Sequence, residues 1–161
     1  MVDDVVPATL VLVAVTAAFP AFLKGASVVL DAEYVTWDVL TRHLTFILAG
    51  LALTTVPILA WMLPRFGARL GARRVLFLHA FLGAQAYAML LFGATGIYRV
   101  FRAKYEHDLY DDDGDVRLED LHENVGAWRG RIRIGVFGYL VFWLLAYVAG
   151  VVRYYVVYWG G

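Results

Sequence analysis

Four stretches of this chain contain no Asp, Glu, Lys or Arg: residues 5–23, 44–63, 75–98 and 134–152. Crossing a bilayer core as a helix takes about 20 residues at ~1.5 Å of rise apiece, and each stretch meets that length. Hydrocarbon offers backbone N–H and C=O groups no partner, so a segment crossing it must satisfy them internally. Helix is the form this predicts here, because the in–out alternation of a membrane barrel is absent from the sequence. Composition agrees: 61% of the 161 residues are hydrophobic and 17% charged, against roughly 45–50% and 25% in an ordinary soluble domain. The expected fold is all-α, an integral membrane bundle of four transmembrane helices forming a single membrane domain over 1–161. Its spans fall near 5–28, 43–63, 75–100 and 133–157, with an extramembrane segment at about 102–131.

The first stretch follows Asp3 and Asp4 rather than a basic leader, and Pro20-Ala21-Phe22-Leu23 makes a poor cleavage site. It is therefore expected as a retained helix and not a signal peptide. Pro20 and Pro57 lie inside apolar stretches and predict kinks. Small residues recur at packing spacing: Ala14, Ala17, Ala18, Ala21 and Gly25 in the first span, and Ala80, Ala84 and Ala88 in the third, with Gly93 and Gly96 near its end. Close backbone approach is what holds helices together in lipid, so these faces are the expected inter-helix seams. Tyr154, Tyr155, Tyr158 and Trp159 read as an aromatic interface belt, with Arg153 reaching to the headgroups.

Basic and acidic residues number 14 each. Without a surplus of positive charge the chain is not built to meet nucleic-acid phosphates. With no cysteine it has no disulfide, thiolate metal site or thiol nucleophile. Nine Lys and Arg fall on the side of the 30–42 and 101–131 loops, and five on the side of the termini. Inside-positive bias then places this multi-pass protein in the cell membrane with its termini outside the cytoplasm. Against that bias, Arg65, Arg69, Arg73 and Arg74 crowd one short loop that repeats Gly-Ala-Arg. They read as a topology-setting cluster, with an anionic lipid headgroup as the functional alternative. Usage of 12 Arg against two Lys, with many Val, Ala and Asp, looks like that of salt-adapted archaea.

Twelve of the acids lie on the long-loop side, densest at Asp111-Asp112-Asp113-Gly114-Asp115. Aligning Gly114 with the invariant glycine of a calcium loop puts Leu109 at the first ligand position and Asp120 at the last, so a solvated turn is expected. Beyond it, Leu118, Leu121, Val125, Trp128 and Ile132 step by three and four. That spacing predicts an amphipathic extramembrane helix before the fourth span and leading directly into it, with Asp115 as N-cap and Glu119 and Asp120 favoured by the dipole. Its stripe needs cover from the bilayer surface, the 30–42 loop, a partner chain or the protein's own helices.

Ionisable groups inside spans are costly and point to function. His43 opens the second span and His79 lies about one turn into the third. His79-Ala80-Phe81-Leu82-Gly83, with Gly93 and Gly96, resembles a haem-bearing helix of the transmembrane b-type cytochromes of the ascorbate-reducible kind. Arg42-His43 followed by Ala49-Gly50 looks like a second such helix. The resemblance covers about 60 residues. It implies haem b bound by His43 and His79, with glycines letting a macrocycle lie against backbone. The second and third spans are antiparallel, which puts the two histidines roughly 20 Å apart along the normal. One chain therefore cannot sandwich a haem between them, and the fourth span has no histidine. A homodimer repairs the ligand count. The plainer expectation is that His43 is an interface residue and that His79 bonds a carbonyl or a polar group on a neighbouring helix. A divalent metal would draw on His107, His122 and Asp108, with His43, Asp38 or Glu33, but no metal-binding spacing supports one.

No phosphate-binding glycine loop, nucleophile elbow or catalytic acid pair occurs, so no catalytic residue is assigned. The sequence therefore reads as a small non-catalytic polytopic membrane protein, an accessory subunit whose seam faces partner helices. The alternative is a haem-b electron carrier.

Overall fold

The computed structural model describes residues 4–30, 36–62, 73–106 and 122–159. Four helices account for nearly all of them: α1 (Val5–Leu30), α2 (Trp37–Pro57), α3 (Arg73–Glu106) and α4 (Val125–Tyr158). A π-helical turn, Ile58–Met62, completes α2. No strand occurs among the described residues. Each helix, α2 taken with its π turn, is long and apolar enough to cross a membrane.

The helices overrun the charge-free stretches, because polar turns outside lipid can keep the same backbone ladder. At the start of α2, the Thr36 hydroxyl accepts the Val39 N–H at 3.3 Å, with Asp38 in the first turn. Exposed i,i+4 pairs mark two outer turns: Asp38 with Arg42 at 3.8 Å and Arg102 with Glu106 at 2.7 Å.

The chain divides into two compact units, Met1–Leu76 with Gly150–Gly161, and Phe77–Ala149. In the first, α1 and α2 pack antiparallel through a reciprocal notch. A Cβ on Gly50 would lie 2.7 Å from Cε1 of Phe22, and one on Gly25 would lie 2.9 Å from Cδ1 of Ile47. Each helix thus carries a large residue three positions before a glycine, and each large residue fills the other helix's gap. Buried Ala18 extends the seam on α1 and buried Thr54 extends it on α2. The Thr54 hydroxyl is satisfied locally by the carbonyls of Gly50 (3.1 Å) and Leu51 (3.0 Å). Pro57 has no N–H to give the preceding turn, and the chain widens into the π turn directly after it. At Pro20, by contrast, α1 continues unbroken.

The last turns of α4 belong to this unit. Tyr154 and Thr9 meet hydroxyl to hydroxyl at 2.7 Å. Thr9 spends its proton on the Val5 carbonyl at 2.8 Å, so Tyr154 is the donor.

In the second unit α3 and α4 run antiparallel and cross at glycines. A Cβ on Gly93 would sit 3.2 Å from Cα of Gly135, and one on Gly135 would run into the Gly93 backbone. Met89 occupies the space beside Gly138, and Gly96 lies against the Trp128 carbonyl, 2.8 Å from where a Cβ would be. Further along, Ala103, Val125 and Trp128 form a buried cluster with Val100 packed on it.

The seam of α3 is therefore Met89, Gly93, Gly96, Val100 and Ala103. Ala84 and Ala88, expected to form part of a seam, are exposed, and Ala80 is half-buried. The reason is angular: at about 100° per residue, Gly93 lies about 140° around the helix from Ala88. In α1, Ala18 and Gly25 are buried as expected, while Ala17 is exposed.

Val125, Trp128 and Ile132, the end of the predicted amphipathic stripe, lie within α4 itself, and their continuity with the fourth span is complete. The cover for Val125 and Trp128 comes from α3 of the same chain. Leu118, Leu121, Asp115 and the 111–115 acidic run lie outside the described residues.

Candidate functional site

His43 is the seventh residue of α2 and sits on the seam with α1. Its Nδ1 is 2.7 Å from the Gly25 carbonyl oxygen. A carbonyl can only accept, so Nδ1 is the donor in this contact. The side-chain space of Gly25 itself is taken by Ile47 and Phe46 of α2, so the two helices lie close where this bond forms. His43, expected as an interface residue, thus bonds a backbone carbonyl of the neighbouring helix. Metal-ligating histidines commonly anchor their second nitrogen to a carbonyl in this way. The surroundings fit a macrocycle less well. The Gly50 recess, two turns along, holds the Phe22 ring, and the Gly25 recess holds Ile47.

His79 is the seventh residue of α3 and belongs to the second unit. It is half-buried, with Nδ1 shielded from solvent. One turn on, a Cβ at Gly83 would meet nothing within 4 Å. The His79–Gly83 edge is accordingly open, where the Gly50 edge is filled.

Of the metal candidates, His122 has a structural position. Its Nδ1 accepts the Asn124 N–H at 3.0 Å, its carbonyl accepts the Val125 N–H at 3.0 Å, and its ring stacks on Trp128 with centroids 4.8 Å apart. It closes the entrance of α4, with the Nδ1 lone pair already engaged. Among the described residues no three His, Asp or Glu side chains gather as metal ligands. His107, Asp108 and Glu33 lie outside the described residues. So do Arg65 and Arg69, while Arg73 and Arg74 form the first two positions of α3.

Sequence reading passed over the acceptor of His43 and the notch around it. A signal was present: Phe22-x-x-Gly25 and Ile47-x-x-Gly50 are the same large-to-glycine spacing on consecutive spans. In antiparallel helices that spacing brings each large residue to the other's glycine.

Four membrane-length helices joined through glycine notches, with one seam-anchored histidine in the first unit, define a small multi-pass membrane protein. The chain belongs to the family described as "Domain of unknown function (DUF7321)", whose model matches residues 4–159. No curated protein and no solved structure gives a match.

Proposed function

We propose that this protein is a non-catalytic accessory subunit of a membrane complex, held in the cell membrane with its termini outside the cytoplasm. One observation carries the reading. On α3, the face stepping through Phe77, Phe81, Ala84, Ala88, Leu91, Thr95 and Tyr98 is exposed from end to end. Steps of four and three keep it in line along the helix, and its centre is small enough for another backbone to approach closely. Lipid tails gain nothing from that small centre, whereas it lets a partner helix approach closely.

Extraction in mild detergent tests it. The expected result is a complex well above the 18.0 kDa chain in its micelle. A84L/A88L should reduce it to monomer while helical content is kept. Wild type recovered as monomer alone refutes the reading.

A second reading, a homodimeric haem-b electron carrier using His43 and His79, is favoured by the anchoring of His43 Nδ1 to a backbone carbonyl and the open space beside Gly83. Haem would supply one-electron chemistry. A reducible Soret band lost in both H43A and H79A supports this reading. A colourless protein after haem-supplemented expression removes it.

A further inference from the structure

We propose that a second copy of this chain covers the exposed face of α3, with the two Gln85 amides bonded to each other across the contact. The inference rests on the reading of that face as a helix contact and names its occupant.

Gln85 is set apart by what its side chain lacks. Inside the spans, the hydroxyls of Thr16, Thr45, Thr54 and Thr95 donate to carbonyls one turn back on their own helices. His43 bonds the Gly25 carbonyl. Gln85 stands in the middle of the charge-free stretch 75–98, is half-buried, and makes no hydrogen bond among the described residues. A primary amide offers two N–H donors and a carbonyl acceptor. Hydrocarbon answers neither, so an amide at this depth is costly until another polar group reaches it.

Its place on the helix says where that group comes from. At about 100° per residue, Ala88 lies about 60° from Gln85 to one side, and Gly93, at the crossing with α4, about 80° to the other. The amide therefore borders the side of α3 that α4 leaves open. Phe81, Ala84, Ala88 and Phe92 around it are all exposed. The two alanines are small enough for a second backbone to approach within reach of a glutamine side chain.

The amide also selects its partner. A carboxylate or an ammonium needs the opposite charge, whereas an amide carries donor and acceptor together and is complementary to itself. Copies of one membrane protein insert in one orientation, so a two-fold axis along the membrane normal brings each residue beside itself at the same depth. Gln85 then meets Gln85, and each N–H reaches the other's carbonyl. A foreign helix would have to present a polar group at this one depth, which the second copy does by symmetry.

Cross-linking of the full-length chain in membranes tests the contact, since the chain has no cysteine of its own. A88C lies on the proposed face. A94C replaces another exposed alanine, about 180° around the helix from Gln85. Under copper-phenanthroline oxidation, A88C should form a disulfide-linked dimer, twice the 18.0 kDa chain. It should do so about tenfold faster than A94C or more, because the contact raises the effective concentration of the paired thiols. In mild detergent, the dissociation constant of the dimer reads the amide directly. Interhelical polar bonds are worth roughly three- to thirtyfold in affinity, so Q85L should weaken the dimer by about that factor with its helical content unchanged. Q85N, which keeps the amide on a shorter stem, should fall between Q85L and wild type. Equal cross-linking at the two positions, or a Q85L dimer as tight as wild type, would overturn the proposal. A particle holding one copy of this chain beside a different protein would overturn it too, while leaving the accessory reading intact. A homodimer with no other protein attached would support it and count against that reading. The two cysteine variants retain Gln85, so they decide the matter even if Q85L fails to fold.

Discussion

Glycine does two different jobs in this chain, and neighbouring positions on α4 separate them. At Gly135 the missing side chain is the space into which the Gly93 backbone fits. At Gly130 a Cβ would meet nothing within 4 Å. A helix interior favours Ala over Gly by about 1 kcal/mol, so G130A should raise stability by up to that amount. In G135A the same gain is offset by overpacking of about 1–3 kcal/mol, because backbone cannot rotate away as a flexible side chain can. Unfolding of the two variants in detergent, followed by circular dichroism, should show shifts of opposite sign. A G135A protein as stable as G130A would mean that the helices do not cross there. None of this could be read from glycine count or spacing alone, since Gly83, Gly126 and Gly130 have open surroundings while Gly93, Gly96 and Gly135 do not.

Among the elements, α3 and α4 are the ones that extend farthest beyond their charge-free stretches, and their outer turns are joined by the Ala103, Val125 and Trp128 cluster with Val100. Outside lipid the hydrophobic effect works in full, so this small cluster supplies an attraction that the spans themselves lack. Removing a buried Trp side chain costs about 3–5 kcal/mol. W128A should therefore fray the outer turns, with amide exchange rising over 99–106 and 125–131 while 134–149 stays protected. Uniform loss of protection along both helices would show instead that the cluster stabilises the entire pair. The three–four stripe through Val125, Trp128 and Ile132 was readable in the sequence because helical periodicity does not depend on the solvent. Its cover was not, because an apolar stripe specifies a need for burial and not the surface that meets it. Ala84 and Ala88 lie off the α3–α4 seam for a related reason: small residues permit close approach, and only the partner's position decides where it happens. His43 was identifiable as an unusual group at a span edge, but its hydrogen bond to Gly25 depends on how far α1 and α2 interpenetrate, which the notch sets.

At the scale of the whole molecule, charge decides what composition cannot. Four spans were evident from uncharged length alone, yet length has no sign, and only the arrangement of Lys and Arg can orient them. The Tyr154–Thr9 hydrogen bond brings the start of α1 and the end of α4 together in one unit, as an even number of crossings demands. With nine Lys and Arg on the long-loop side against five on the other, that shared end should face away from the cytoplasm. The absence of native cysteine makes a direct measurement clean, because any thiol present has been placed deliberately. Single substitutions D4C and W159C should react with a membrane-impermeant maleimide on intact cells, while E106C and E123C should react only after the membrane is opened. The reverse pattern would mean that the short 65–74 arginine cluster, and not the larger but dispersed set, sets topology. Counting charge within one short loop would then be the better guide for this chain. Labelling of all four positions on intact cells would instead contradict a membrane-spanning arrangement altogether, because a sealed bilayer cannot expose both ends of α4 to one side.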